Sequence, residues 1–126
     1  RMGLYDMVML KDNHIDFAGG ISKAVARTKA YLAESNRTLA IEVETRNMQE
    51  VSAAIQAGVD RIMLDNFSIS ETKEAVEYIA GRTEVESSGG ITHDTLVPYA
   101  ECGVDFISVG ALTHHIKGLD MSLKAL

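Results

Sequence analysis

Residues 57–65 read Ala57-Gly58-Val59-Asp60-Arg61-Ile62-Met63-Leu64-Asp65, and residues 102–110 read Cys102-Gly103-Val104-Asp105-Phe106-Ile107-Ser108-Val109-Gly110. Both copies pass from a small residue and a glycine, through Val-Asp, into a short apolar run that stops at a polar or small residue. A glycine just past a helix end adopts the left-handed conformation that closes it. A run of four or five residues rich in Ile, Leu, Met and Val suits a strand buried on both faces. Each copy therefore marks a helix giving way to a buried strand.

Further strands follow from the same pattern at residues 39–44 (LAIEVE), at 5–11 (YDMVMLK) and, less apolar, at 83–88 (TEVESS). Between them the apolar spacing is helical. Ala18, Ile21, Val25 and Leu32 share a face, as do Met48, Val51 and Ile55, and Ile69, Val76 and Ile79. Ser68 with Glu71 has capping-box spacing, and Asn47 with Glu50 a weaker version. Gly58, Gly81 and Gly103, 23 and 22 residues apart, end the helices, while the strand ends Glu44, Asp65, Ser88 and Gly110 are 21, 23 and 22 apart. A period of about 22 leaves room only for serial β/α units with short loops. The expected fold is α/β, with five parallel strands and four to five helices in one domain over residues 1–126. It closes either as a doubly wound sheet or as part of a (β/α) barrel. Short, uniform units with polar strand ends favour an incomplete barrel. A complete barrel takes roughly 250 residues, so the chain would supply about half to two-thirds of one. The start at Arg1, without Met, reads as a piece of a larger protein.

Composition narrows the function. Twelve Lys and Arg against eighteen Asp and Glu give a net charge of −6, which argues against a general nucleic-acid binder. No apolar run approaches the roughly 20 residues of a membrane span, and no secretory signal opens the chain. The single cysteine, Cys102, has no disulfide partner within the chain, which fits a reducing compartment and a cytoplasmic location.

Active sites of β/α proteins lie at the C-terminal strand ends. Those ends carry Lys11, Glu44, Asp65, then Ser87-Ser88-Gly89-Gly90, then Ser108 and Gly110. Glycine lets backbone N–H groups approach an anion, and a helix expected to begin at Thr92 would add its positive end. Taken singly, each residue has another reading. Glu44 and Asp65 suit carboxylates that offset a helix N-terminus, Gly89-Gly90 suits any tight turn, and Lys11 suits a solvated strand end. Glu42 is expected to point the other way and to act structurally. His14, His93, His114 and His115 lack metal-ligand spacing, so zinc is not expected. Cys102 reads as a buried structural thiol, and Pro98 as a residue that kinks or shortens the last helix. A cation, two carboxylates and an anion cradle suit a phosphorylated sugar with Mg²⁺, which takes one or two carboxylates together with substrate phosphates and waters.

Arg1-Met2-Gly3-Leu4-Tyr5-Asp6, Lys11-Asp12-Asn13-His14-Ile15, Glu42-Val43-Glu44, Asp65-Asn66-Phe67, Glu86-Ser87-Ser88-Gly89-Gly90-Ile91 and Ser108-Val109-Gly110-Ala111-Leu112-Thr113-His114 appear in that order. Together, over nearly the whole chain, they resemble the barrel domain of the quinolinate phosphoribosyltransferases, type II phosphoribosyltransferases of de novo NAD synthesis. The resemblance implies transfer from 5-phosphoribosyl 1-diphosphate to quinolinate with Mg²⁺ and loss of CO₂, giving nicotinate mononucleotide and diphosphate. It implies that Arg1 and Lys11 meet substrate anions, Lys11 joining Glu44 and Asp65 as the catalytic set. Glu44 and Asp65 would face the ribose and its Mg²⁺, directly or indirectly. Ser88, Gly89, Gly90, Ser108, Val109 and Gly110 would hold the 5-phosphate, with His114 nearby. It further implies a homodimer whose partner completes the active site, together with an N-terminal α/β domain and a first barrel segment that this sequence lacks. The isolated chain is then expected to be inactive. A related phosphoribosyltransferase acting on another pyridine, and a non-catalytic phosphate-binding or dimerising piece, are the rival readings.

Overall fold

The sequence repeat becomes a physical repeat in the computed structural model, which describes residues 7–109 and 122–124. The elements are β1 (Met7–Leu10), α1 (Asp12–Ala18), α2 (Ile21–Glu34), β2 (Ala40–Thr45), α3 (Met48–Ala57), β3 (Arg61–Asp65), α4 (Ile69–Ile79), β4 (Glu84–Ser88), α5 (Leu96–Glu101), β5 (Phe106–Ser108) and β6 (Ser122–Lys124). They form one sheet in the order β1-β2-β3-β4-β5-β6. The first five strands are parallel, and β6 runs antiparallel to β5. A doubly wound sheet reverses its strand order at a switch point. Strict chain order without reversal is instead the arrangement of a (β/α) barrel arc.

The two Gly-Val-Asp copies make the same joint. Gly58 and Gly103 take φ of +73° and +94°, and Val59 and Val104 drop into the core. Asp60 then accepts the Ile41 N–H at 2.8 Å and donates its own N–H to Ile41 O at 2.9 Å. Asp105 does the same with Val85, both bonds at 2.9 Å. Each aspartate thus clips the strand it is entering to the second residue of the strand before it.

Alternation along the strands separates two faces. Ile41, Val43, Ile62, Leu64, Val85 and Ile107 lie under the helices in a single core with Val25, Val51, Ala54, Ala75 and Ile79. Removing a side chain as buried as Leu64 from such a core costs about 2–5 kcal/mol. The other face carries Glu42, Glu44, Arg61, Met63, Asp65, Glu84, Glu86, Ser88, Phe106 and Ser108, with charged side chains deep on the face as well as near the strand ends. Glu42 stands two residues from Glu44, so the pleat puts both on this face. The expectation that Glu42 turns away is therefore corrected, and it lies deeper on the shared face, fully buried.

Three helices differ from the sequence reading. The face drawn through Ala18 and Leu32 belongs to two helices, because Gly19 and Gly20 at φ of +91° and +121° break the path between α1 and α2. In α4 the buried stripe is Thr72, Ala75 and Ile79, while Ile69 is 43% exposed. The last helix starts at Leu96, not Thr92. A start at Thr92 would place Pro98 in the helix interior, where its ring meets the carbonyl of the residue four earlier. Starting at Leu96 leaves Pro98 in the first turn, where no N–H is needed.

Candidate active site

The strand register builds the polar rim. Asp65 of β3 lies directly opposite Ser88 of β4, and Ser108, one residue past the Ser87–Ile107 pair, is level with them. Glu44 pairs with Met63, two residues short of Asp65, so it sits one layer deeper in the ladder. Lys11 follows β1 directly as the exposed N-cap of α1. The structure therefore brings Lys11, Glu44, Asp65, Ser88 and Ser108 to one end of the sheet. Ser87 alternates to the helix face, 1% exposed, and its hydroxyl has no hydrogen-bond partner among the described residues.

Each of these groups has a distinct local setting. Glu44 Oε1 accepts the Asp12 N–H at 3.2 Å, tying α1 to β2 and leaving Oε2 for another partner. Asp65 is half-buried and its side chain makes no hydrogen bond or ion pair among the described residues. Arg46, the other cation at this end, is engaged by Glu50 at 2.8 Å and Asp16 at 3.2 Å, with Asp12 at 3.9 Å. The Glu50 bond, then the Asp16 bond, hold its guanidinium even more firmly protonated than usual. Lys11 makes no ion pair among the described residues.

The glycine loop packs closely on the turn that follows β3. A Cβ on Gly89, at φ +90°, would fall 2.6 Å from Asn66 Oδ1 and 2.8 Å from Asn66 N. Close packing against Asn66 therefore by itself requires glycine at position 89. Asn66 itself takes the left-handed φ of +59° and donates its N–H to Ser88 O at 3.0 Å. Gly90, at φ +68°, has only Asn66 Oδ1 within 4.0 Å, so the open side of the loop lies there. Val109 is buried, at 2% exposed. The helix that follows this loop, α5, is six residues long. Arg1, Gly110 and His114 lie outside the described residues.

Asn66 at the site end, Glu86 in the middle of β4 and Arg61 at the opposite end of β3 have parts that the sequence reading did not assign. Asn66 stood within the quoted Asp65-Asn66-Phe67, and its left-handed turn was the available signal. His14 and His93 are exposed, and among the described residues no group of three or more His, Cys, Asp and Glu could hold a metal ion. Cys102 is half-buried, not buried, with Sγ 3.4 Å from Pro98 O and 3.5 Å from Ile69 O. Burial pushes its thiol up, which disfavours the thiolate.

The family model described as quinolinate phosphoribosyl transferase, C-terminal domain, matches residues 1–124. The chain belongs to that family. It is 47% identical to the chloroplastic nicotinate-nucleotide pyrophosphorylase (carboxylating) of Oryza sativa subsp. japonica, over 98% of this chain and 38% of that protein. It is 45% identical to a mitochondrial quinolinate phosphoribosyltransferase (decarboxylating) of Nicotiana glauca, over 98% of this chain and 40% of that protein. A solved structure of the Francisella tularensis nicotinate-nucleotide pyrophosphorylase superposes with a TM-score of 0.78 at 49% identity, covering 93% of this chain and 40% of that one. The chain thus spans about two-fifths of the length of these relatives. No helix among the described residues is long and apolar enough to cross a membrane.

Proposed function

We propose that the complete enzyme carrying this chain transfers the phosphoribosyl group of 5-phosphoribosyl 1-diphosphate to quinolinate. The C1–oxygen bond to diphosphate breaks, and the pyridine nitrogen bonds to C1. The neighbouring carboxylate then leaves as CO₂ and the ring carbon takes a proton, giving nicotinate mononucleotide. The observation that carries this reading is the meeting of Glu44 and Asp65 with the Ser88–Gly90 turn at one sheet end, in a chain of this family. Departure of diphosphate leaves positive character on the ribosyl ring, and fixed carboxylates nearby stabilise it. Lys11, and Arg1 outside the described residues, are assigned to the quinolinate carboxylates. Ser88, Gly90 and the main chain toward Gly110 are assigned to the 5-phosphate, with His114 beside them.

The donor set suits Mg²⁺. Asp65 and Glu44 Oε2 are hard oxygens, two in number and not a cage, matching an ion that takes one or two carboxylates and completes its shell with phosphates and waters. Bound there, it would neutralise charge on the leaving diphosphate. The missing cations are assigned to a second subunit in a homodimer, because Arg46 is already engaged by three carboxylates. The proposed compartment is the cytoplasm, supported by a lone cysteine without an internal disulfide partner.

The test is CO₂ release from carboxyl-labelled quinolinate, with nicotinate as competing acceptor. Release that depends on the phosphoribosyl donor and Mg²⁺ is expected. Preference for nicotinate without CO₂ release would overturn the choice of substrate.

A further inference from the structure

Beneath the rim, the inner face of the sheet holds charges where barrel interiors usually hold bulky apolar side chains. Arg61 is 7% exposed and Glu86 3%. The Arg61 guanidinium donates to Glu84 Oε1 at 3.0 and 3.3 Å and lies 3.8 Å from the centre of the Phe106 ring. Its Nη1 faces Glu86 Oε1 at 3.6 Å, an ion pair too long for a hydrogen bond. The other Glu86 oxygen, Oε2, accepts the Ser108 hydroxyl proton at 2.6 Å. One relay therefore runs from β3 through β4 to two points on β5, Phe106 and Ser108.

A buried ion pair is a poor source of stability, since apolar side chains of similar volume often serve as well or better. The relay's end is the informative part. Ser108 has one hydroxyl proton, and Glu86 takes it. Toward the mouth Ser108 Oγ then offers only lone pairs, which a phosphate dianion cannot use. β6 pairs one edge of β5, but on the other the register with β4 ends at Ser87–Ile107, so the Ser108–Glu86 bond is a side-chain tie from the end of β5 back to β4. We infer that Glu86, steadied by Arg61, is a positioning residue that fixes the end of β5 through Ser108, and that the Ser108 side chain does not itself bind phosphate. The inference deepens the phosphoribosyl-transfer reading and rests on it for its kinetic consequence.

The experiment uses the complete enzyme with Glu86→Ala, Glu86→Gln, Ser108→Ala and the Glu86→Ala/Ser108→Ala double variant. Hydrogen exchange of the amides of residues 106–109 is read alongside kcat and the KM for 5-phosphoribosyl 1-diphosphate. Glu86→Ala and Ser108→Ala should each speed exchange there and raise that KM about tenfold, as for loss of one hydrogen bond to a charged group, with kcat little changed. The double variant should be no worse than the worse single one, because both remove one contact. Glu86→Gln, whose amide oxygen still accepts, should recover most of the affinity. If Glu86→Ala fails to fold, Ser108→Ala carries the exchange measurement. Independent effects in the double variant, or a raised KM in Ser108→Ala without faster exchange, would overturn the inference, the second outcome marking a direct phosphate contact. Local exchange changes in an enzyme that releases no CO₂ from quinolinate would sustain the positioning role and overturn the function reading alone.

Discussion

Glu44 and Asp65 differ in what their removal should cost. Glu44 holds the first N–H of α1 as well as facing the mouth, whereas Asp65 has no partner to lose among the described residues. In the complete enzyme, Asp65→Ala should lower kcat/KM by about 2.7–4 kcal/mol of transition-state stabilisation with its thermal midpoint unchanged. Glu44→Ala should lower activity similarly and also lose about 1 kcal/mol of fold stability, as a lost cap does. Near-normal turnover of both variants with Mg²⁺ would remove them from the ribose site. Gly89→Val acts by another route. Its Cβ meets Asn66 backbone and side chain below 3.0 Å, so the β3–α4 turn must shift. We expect a lower unfolding midpoint together with weaker donor binding, and calorimetry showing full donor affinity would refute the coupling of the two loops. The carboxylates were legible because each ends an apolar strand. The partner of Gly89 was not, since a contact between loops 23 residues apart leaves no local pattern.

At the scale of elements, the capping box on α4 gives a pH-dependent expectation. Ser68 Oγ accepts the Glu71 N–H at 3.1 Å, and Glu71 Oε1 accepts the Ser68 N–H at 2.9 Å. The Ser68 backbone bond, then its hydroxyl, hold the Glu71 carboxyl below its ordinary value of 4.5. A carboxyl with a depressed folded value stabilises the fold above its unfolded pKa and loses that contribution as pH falls through the folded one. The advantage of the wild type over Glu71→Gln in denaturant midpoint should therefore be full near neutrality and shrink below pH 4.5. Parallel acid limbs for the two proteins would show that the charge contributes nothing. This box was readable from Ser68 and Glu71 alone, because capping is a matter of four adjacent residues. Its weaker counterpart is only half made. Asn47 accepts the Glu50 N–H, but Glu50 turns to the Arg46 N–H instead of closing the box. The short α1 escaped the sequence reading for lack of an apolar stripe, with Ile15 buried and Phe17 92% exposed. The Gly-Val-Asp joints repeat because one geometry, a strand entered beside its predecessor, needs the same clip each time.

For the whole molecule, charge and edges decide what the chain can do alone. We expect the isolated 126-residue chain to make no nicotinate mononucleotide. Quinolinate brings two carboxylates and the donor brings a phosphate and a diphosphate. Against them the described rim offers Lys11, since Arg46 is tied to Glu50, Asp16 and Asp12, on a chain of net charge −6. Desolvating several anions together without matching cations is prohibitive, and Mg²⁺ and Arg1 do not make up the difference. β1 also pairs on one side only among the described residues, leaving a sheet edge that invites association with another strand. Backbone donors near Gly90 are local, so weak binding of inorganic phosphate should survive while catalysis does not. The measurement is to purify the chain, establish its α/β content by circular dichroism, and follow CO₂ from labelled quinolinate with donor and Mg²⁺. Turnover comparable to the complete enzyme would show that these residues suffice, and that no cation from outside the chain is needed.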